Sequence, residues 1–94
     1  MISTERIKQL REQRQLPQRK IAEALDIDSA TYCKVERGER RAKKEQIPII
    51  AKILQADHEE LLALWLADKI IATIGEEKKI VGKAFKMAQE KISE

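Results

Sequence analysis

Residues 18–38 read QRKIAEALDIDSATYCKVERG, and this stretch decides the fold. Ile21, Ala22 and Leu25 share one face of a helix by their i, i+1, i+4 spacing, and Tyr32 and Val35 share a face by i, i+3 spacing. The stretch therefore reads as two short helices joined by a tight turn. Asp26-Ile27-Asp28 makes that turn, with Asp26 in a left-handed conformation that aspartate tolerates better than most residues. Asp28 is placed to cap the second helix through the N–H of Ala30 or Thr31. Ile27 plugs the angle between the helices, and Gly38 stops the second one. What this pair presents outward is small or polar: Ser29, Ala30 and Lys34.

Working outward, the sequence is helical throughout. Ser3 or Thr4 is the expected cap of a first helix, with Ile7 and Leu10 facing the core. Leu16-Pro17-Gln18 is a connector, since proline is tolerated where a helix begins. Glu39–Lys44, ERRAKK, is a polar connector carrying Arg40, Arg41, Lys43 and Lys44. A fourth helix spans about Glu45 to Leu54, with Pro48 held in its first turn. Ile47, Ile50, Ala51 and Leu54 form its core stripe, and Ile49 and Ile53 a second stripe that needs another partner surface. Asp57 with Glu60 predicts a capping box opening a fifth helix. LLALWLADKIIATI in that helix is apolar around most of its circumference, which predicts burial on more than one side. Gly75 ends it. A sixth helix is expected from Glu76 to about Ile92, with Ile80, Val81, Ala84, Phe85, Ala88 and Ile92 on one face. No run of alternating β-branched residues argues for a strand.

The 94 residues suit one small domain with an appended helix. Its 19 basic and 16 acidic side chains give a net charge of +3. The excess is local: residues 1–58 hold 13 Lys/Arg against 9 Asp/Glu, and residues 59–94 hold 6 against 7. An anionic partner should thus meet the first part. Cys33 is the only cysteine, so no intrachain disulfide is expected, and a structural role fits it better than a redox role. MISTERIKQL lacks a signal-peptide core, and Leu61–Leu66 is too short to span a bilayer. These features read as a cytoplasmic chain without a membrane role. His58 reads as a surface residue. No metal-spaced cluster, nucleophile set or phosphate loop occurs, so neither an enzyme nor a cofactor is expected.

The pattern across residues 6–54 resembles the Xre, or lambda-repressor-like, helix-turn-helix family. The resemblance rests on Arg11, Leu16, Gln18, Ile21-Ala22, Leu25, Ile27, Val35-Glu36-Arg37-Gly38-Glu39-Arg40, Ile50-Ala51 and Leu54, spaced without a gap. It departs from the family at Gln15 and Asp26, where glycine is usual, and at Pro17, where a Ser, Thr or Asn cap is usual. The resemblance implies an all-α, five-helix DNA-binding domain with an additional C-terminal helix, acting as a homodimer on double-stranded DNA. Residues 1–66 would form the helix-turn-helix domain, and residues 67–94 a helical extension serving dimerisation.

Carried over by position, the third helix would lie in the major groove with Ser29, Ala30 and Lys34 at base edges. Gln18, Arg37, Arg40, Arg41, Lys43 and Lys44 would meet phosphates. Arg11 and Glu36 would form a structural ion pair, and Tyr32 would place its ring in the core and its hydroxyl at the rim. Leu62, Trp65, Leu66 and Ile70 are the expected dimer contacts, in preference to a small-molecule site at Trp65. The implied function is a sequence-specific transcriptional regulator on a pseudo-palindromic operator, with controllers of restriction–modification systems and small antitoxins as similar proteins. The competing reading is an adaptor or antirepressor that uses the fold without DNA readout.

Overall fold

The computed structural model covers residues 1–94 and contains six α-helices and no strand. They are α1 (Ile2–Gln13), α2 (Gln18–Ala24), α3 (Ser29–Glu36), α4 (Ile47–Leu54), α5 (His58–Ile74) and α6 (Val81–Ile92). The first five helices fold into the lambda-repressor-like arrangement, and α6 follows as the extra C-terminal helix. A 3-10 turn, Lys44–Gln46, leads into α4 and shortens the fourth helix relative to the sequence expectation. Pro48 sits in the first turn of α4, where the Lys44 carbonyl four residues back is already taken by the Ile47 N–H, so its missing N–H leaves no acceptor unserved.

One core holds α1 to α5 together. Ile7, Ile21, Tyr32, Ile47, Ile50, Leu54 and Leu61 are its fully buried large side chains. Each aliphatic one contributes about 1.5–3 kcal/mol by leaving water. α2 packs chiefly on α3, α1 on α5 and α3, and α4 on α5 and α2. The Tyr32 ring is core as expected, but its hydroxyl is not at the rim. It is buried beside the Glu36 carboxylate yet makes no hydrogen bond of good geometry.

Four helices end in the same way. Gln15, Asp26, Gly38 and Gln55 adopt φ of 56°, 57°, 78° and 52°. The residue after each closes back onto the preceding helix: Leu16 N–H to Arg11, Ile27 to Ala22, Glu39 to Lys34 and Ala56 to Ala51, all at 2.9–3.1 Å. These are paired C-terminal caps, and Leu16, Ile27 and Ala56 lay an apolar side chain over the end of the helix they close. Left-handed backbone at a β-carbon-bearing residue costs roughly 1–2 kcal/mol, and Gln15, Asp26 and Gln55 bear it where the tight connection leaves no alternative.

The start of α1 differs from the sequence expectation. Ser3 and Thr4 are buried within the first turn, not placed as its cap. The cap comes from α5. The Asp68 carboxylate accepts the Ile2 N–H at 2.8 Å, the Ser3 N–H at 2.9 Å and the Ser3 hydroxyl. The expected boundary between residues 66 and 67 falls inside α5, and the helix continues through this capping residue.

Two further corrections concern α5 and α6. Asp57 accepts from Glu59 N–H at 3.3 Å, and Glu60 pairs with Arg6 at 3.5 Å, so the predicted capping box is not formed. Within the chain only Leu61 and Asp68 of α5 are buried, and Leu66, Ile70 and Ile71 are exposed. α1 and α4 cover one side of α5, and nothing covers the other. α6 begins at Val81, five residues later than expected, after turns over residues 75–80.

Candidate nucleic-acid interface

The α2–α3 pair is held by a charged tie. Arg11 Nε donates to Glu36 Oε2 at 2.7 Å and Nη2 to Oε1 at 3.0 Å, a bidentate pair that joins α1 to the end of α3. The same guanidinium donates Nη1 to the Leu16 carbonyl at 2.8 Å, fixing the α1–α2 connector. Gln18 Nε2 donates to Glu36 Oε1 at 3.1 Å, fixing the start of α2. One carboxylate thus positions three helices. Burial alone would raise its pKa, but the hydrogen bonds from Arg11 and Gln18, beside the Tyr32 hydroxyl, outweigh that and hold it below the ordinary value. The Arg11 guanidinium is shifted upward by the Glu36 hydrogen bond against its own burial. Burial and the neighbouring carboxylate push the Tyr32 phenol up.

On this frame α3 presents its outer edge. Asp28 caps it by accepting Thr31 N–H at 2.7 Å. Hydrogen bonding to Thr31 holds the Asp28 carboxyl below its usual range, so the cap is formed by the charged carboxylate. Ser29, Ala30 and Lys34 are exposed, whereas Thr31 and Cys33 are half-buried and Tyr32, Val35 and Glu36 are buried. The edge that reaches outward is therefore Ser29, Ala30 and Lys34. Gln18 is half-buried, with one amide hydrogen committed to Glu36.

The basic connector is anchored. Ala42 is buried in the middle of ERRAKK, and its carbonyl accepts the Trp65 indole N–H at 2.7 Å. Around that anchor Arg40, Lys43 and Lys44 are exposed. Lys43 N–H is accepted by Gln46 Oε1 at 2.9 Å, which orders the last part of the connector. Arg37 is exposed and pairs with Glu39 at 2.8 Å. Arg41 is half-buried and lines a surface cleft with Met1, Glu5 and Asp68 at the start of α1. Its surroundings thus differ from those of the other connector cations.

Of the four residues expected at a dimer contact, Leu66 and Ile70 are exposed on the outer face of α5. Leu62 and Trp65 are half-buried against the chain's own core, with Lys69 Nζ 5.4 Å from the Trp65 ring centre. The sequence did not suggest the Trp65–Ala42 link, the Gln18–Glu36 bond or the Asp68 cap. For Asp68 a signal was present: a lone carboxylate inside a long apolar run needs a buried partner.

A profile of the helix-turn-helix domain matches residues 4–64, from the first turn of α1 into α5. The chain belongs to the helix-turn-helix domain family. That span takes in α2, α3 and the anchored connector. No match emerged among curated proteins or among solved structures. Within this helix-turn-helix domain no helix is long and apolar enough to cross a membrane, nor is any elsewhere in the chain.

Proposed function

We propose that this helix-turn-helix protein is a sequence-specific, non-catalytic DNA-binding regulator of transcription that acts as a dimer on a pseudo-palindromic operator. The observation that carries the proposal is the pairing of a rigid, small-residue α3 edge with an anchored row of cations. Ser29, Ala30 and Lys34 are exposed on a helix whose buried face is fixed by Tyr32, Val35 and Glu36. A helix of that kind fits the major groove with its N-terminal side chains at base edges. Lys34 suits guanine acceptors and Ala30 a thymine methyl, while Ser29 hydrogen-bonds with several bases.

Arg40, Lys43 and Lys44 follow directly and meet phosphates, as does Arg37 on exchanging Glu39 for a phosphate oxygen. Arg41 we assign to the α1–α5 side. Gln18 presents its remaining amide hydrogen and its carbonyl at the start of α2, and contacts phosphate from there. Two copies would set their α3 helices about one turn of duplex apart, roughly 34 Å. Bound over a promoter, such a dimer would repress by blocking polymerase or activate by touching it, as restriction–modification controllers and small antitoxin-like regulators of this size would.

A gel-shift with DNA from upstream of its own gene, competed with random duplex at two salt concentrations, tests the proposal. Preferential retention of the upstream fragment is expected. Equal competition by random duplex would refute operator recognition, and no retention at low salt would refute DNA binding altogether.

A further inference from the structure

α6 is a helix without a partner. None of its residues is buried, and it forms no extended packing with another helix. Yet Val81, Phe85, Ala88 and Ile92 recur at 4-3-4 spacing, the seam of a helix that packs on another. A twelve-residue helix is marginal in water unless its apolar face is covered. The connector directs it away from α5: Gly75 takes φ 58°, and turns close from Glu77 N–H to Ile74 and from Lys78 N–H to Glu76. The radius of gyration, 15.1 Å, exceeds the roughly 12 Å of a compact chain of this length.

The chain also carries an uncovered apolar groove. Leu66, Lys69, Ile70, Thr73 and Ile74 line a groove of about 330 Å³ along the outer face of α5. Groove and helix belong to the same chain and do not meet in it. Two copies related by a two-fold axis would satisfy both at once, since each supplies the helix that the other's groove lacks. The exposed parts of Leu66, Ile70, Phe85 and Ile92 amount to roughly 400 Å² per copy, and the half-buried Ile74 and Val81 beside them carry the surface that exchange would cover toward the ~800 Å² per partner of a standard stable interface.

We propose that α6 of one copy docks on the α5 groove of a second copy, so that the dimer forms by reciprocal exchange of C-terminal helices with Phe85 seated beside Leu66 and Ile70. This deepens the dimeric reading above and rests on it. The exchange leaves α1–α4 and the α3 edge untouched, so the two readers are spaced by the α5–α6 connection.

The test uses the full chain in an equal mixture of carbon-13-labelled and unlabelled copies, without DNA. Isotope-filtered contacts are expected between the Phe85 ring of one copy and the Leu66 and Ile70 methyls of the other, at twice the chain mass by light scattering. Phe85→Glu and Ile70→Glu should each weaken dimerisation by roughly 30-fold or more while leaving the helical spectrum of the domain intact. A dimer lacking these cross-copy contacts would overturn the exchange and leave dimerisation standing. A monomer at micromolar concentration would overturn both, with DNA binding still decided separately by the gel-shift. Contacts confined to one copy would place α6 on its own α5. Ordering of α6 only on phosphatidylglycerol vesicles would make it a membrane-surface helix; either result overturns the proposal.

Discussion

Replacing Asp68 with alanine should destabilise the domain by about 2–4 kcal/mol, although residue 68 lies beyond the matched helix-turn-helix span. The carboxylate is 6% exposed and accepts three donors at the start of α1. Ile2 is 41% exposed, so its N–H can return to water. Ser3 is 5% exposed and cannot, and a buried donor left unpaired costs about 1–3 kcal/mol. Loss of a negative charge at the positive end of α1 adds roughly 0.5–1 kcal/mol. Asp68→Asn keeps one acceptor but turns an amide toward the donors, and should cost about half as much, roughly 1–2 kcal/mol. Urea unfolding followed by circular dichroism reads the difference, with Asp57→Ala as the comparator for a cap exposed to solvent. Burial works to raise the Asp68 pKa, but the bonds from Ser3 and Ile2 hold it below its ordinary 3.8. Its stabilisation is therefore complete above the unfolded pKa and is lost as pH falls through the lower folded value. The gap between wild type and Asp68→Ala should narrow as pH falls below the ordinary carboxyl value of 3.8. A cost under about 0.5 kcal/mol at neutral pH, or a gap unchanged on acidification, would refute the reasoning.

Glu36→Gln breaks a buried bidentate pair and should cost about 3–5 kcal/mol in the same urea assay, more than any exposed-charge variant. Since the Glu36 carboxyl is also held below its ordinary 4.5, wild-type stability should be flat above about pH 5 and decline below it, as thermal melts would show. Tyr32→Phe removes a buried hydroxyl that has no good hydrogen bond, so denaturation should find it within about 1 kcal/mol of wild type or more stable. Gln15→Gly relieves a left-handed side-chain-bearing residue and should stabilise by about 0.5–1 kcal/mol, seen as a raised melting temperature. Trp65→Phe releases the Ala42 carbonyl and loosens the basic connector; the salt dependence of duplex binding should then flatten by about one unit of log–log slope.

The two helices of residues 18–38 were legible because every signal there is local: face spacing, the Asp28 cap, the left-handed Asp26 and the Gly38 stop. The exposed edge of α3 followed from the same spacing. Most of what sequence reasoning placed incorrectly depends on contacts across the chain. Ser3 looks like a cap until Asp68, 65 residues away, supplies one. Asp57 and Glu60 fit a capping box until Arg6 of α1 draws Glu60 aside. ERRAKK reads as a loose charge run because nothing local reveals that Ala42 is pinned by Trp65. The start of α6 was misjudged because residues 76–80 are helix-compatible by composition, yet form turns that point the last helix outward.

The central claim is that Lys34 on the α3 edge reads base identity while the connector reads only phosphate. Fluorescence anisotropy titrations of wild type and Lys34→Ala, each against the upstream operator fragment and a random duplex of equal length, test it most directly. The account predicts that Lys34→Ala loses roughly 10- to 100-fold on the operator, with little change on random duplex, so that the specificity ratio collapses. An equal loss on both duplexes would contradict it and reduce Lys34 to another phosphate contact.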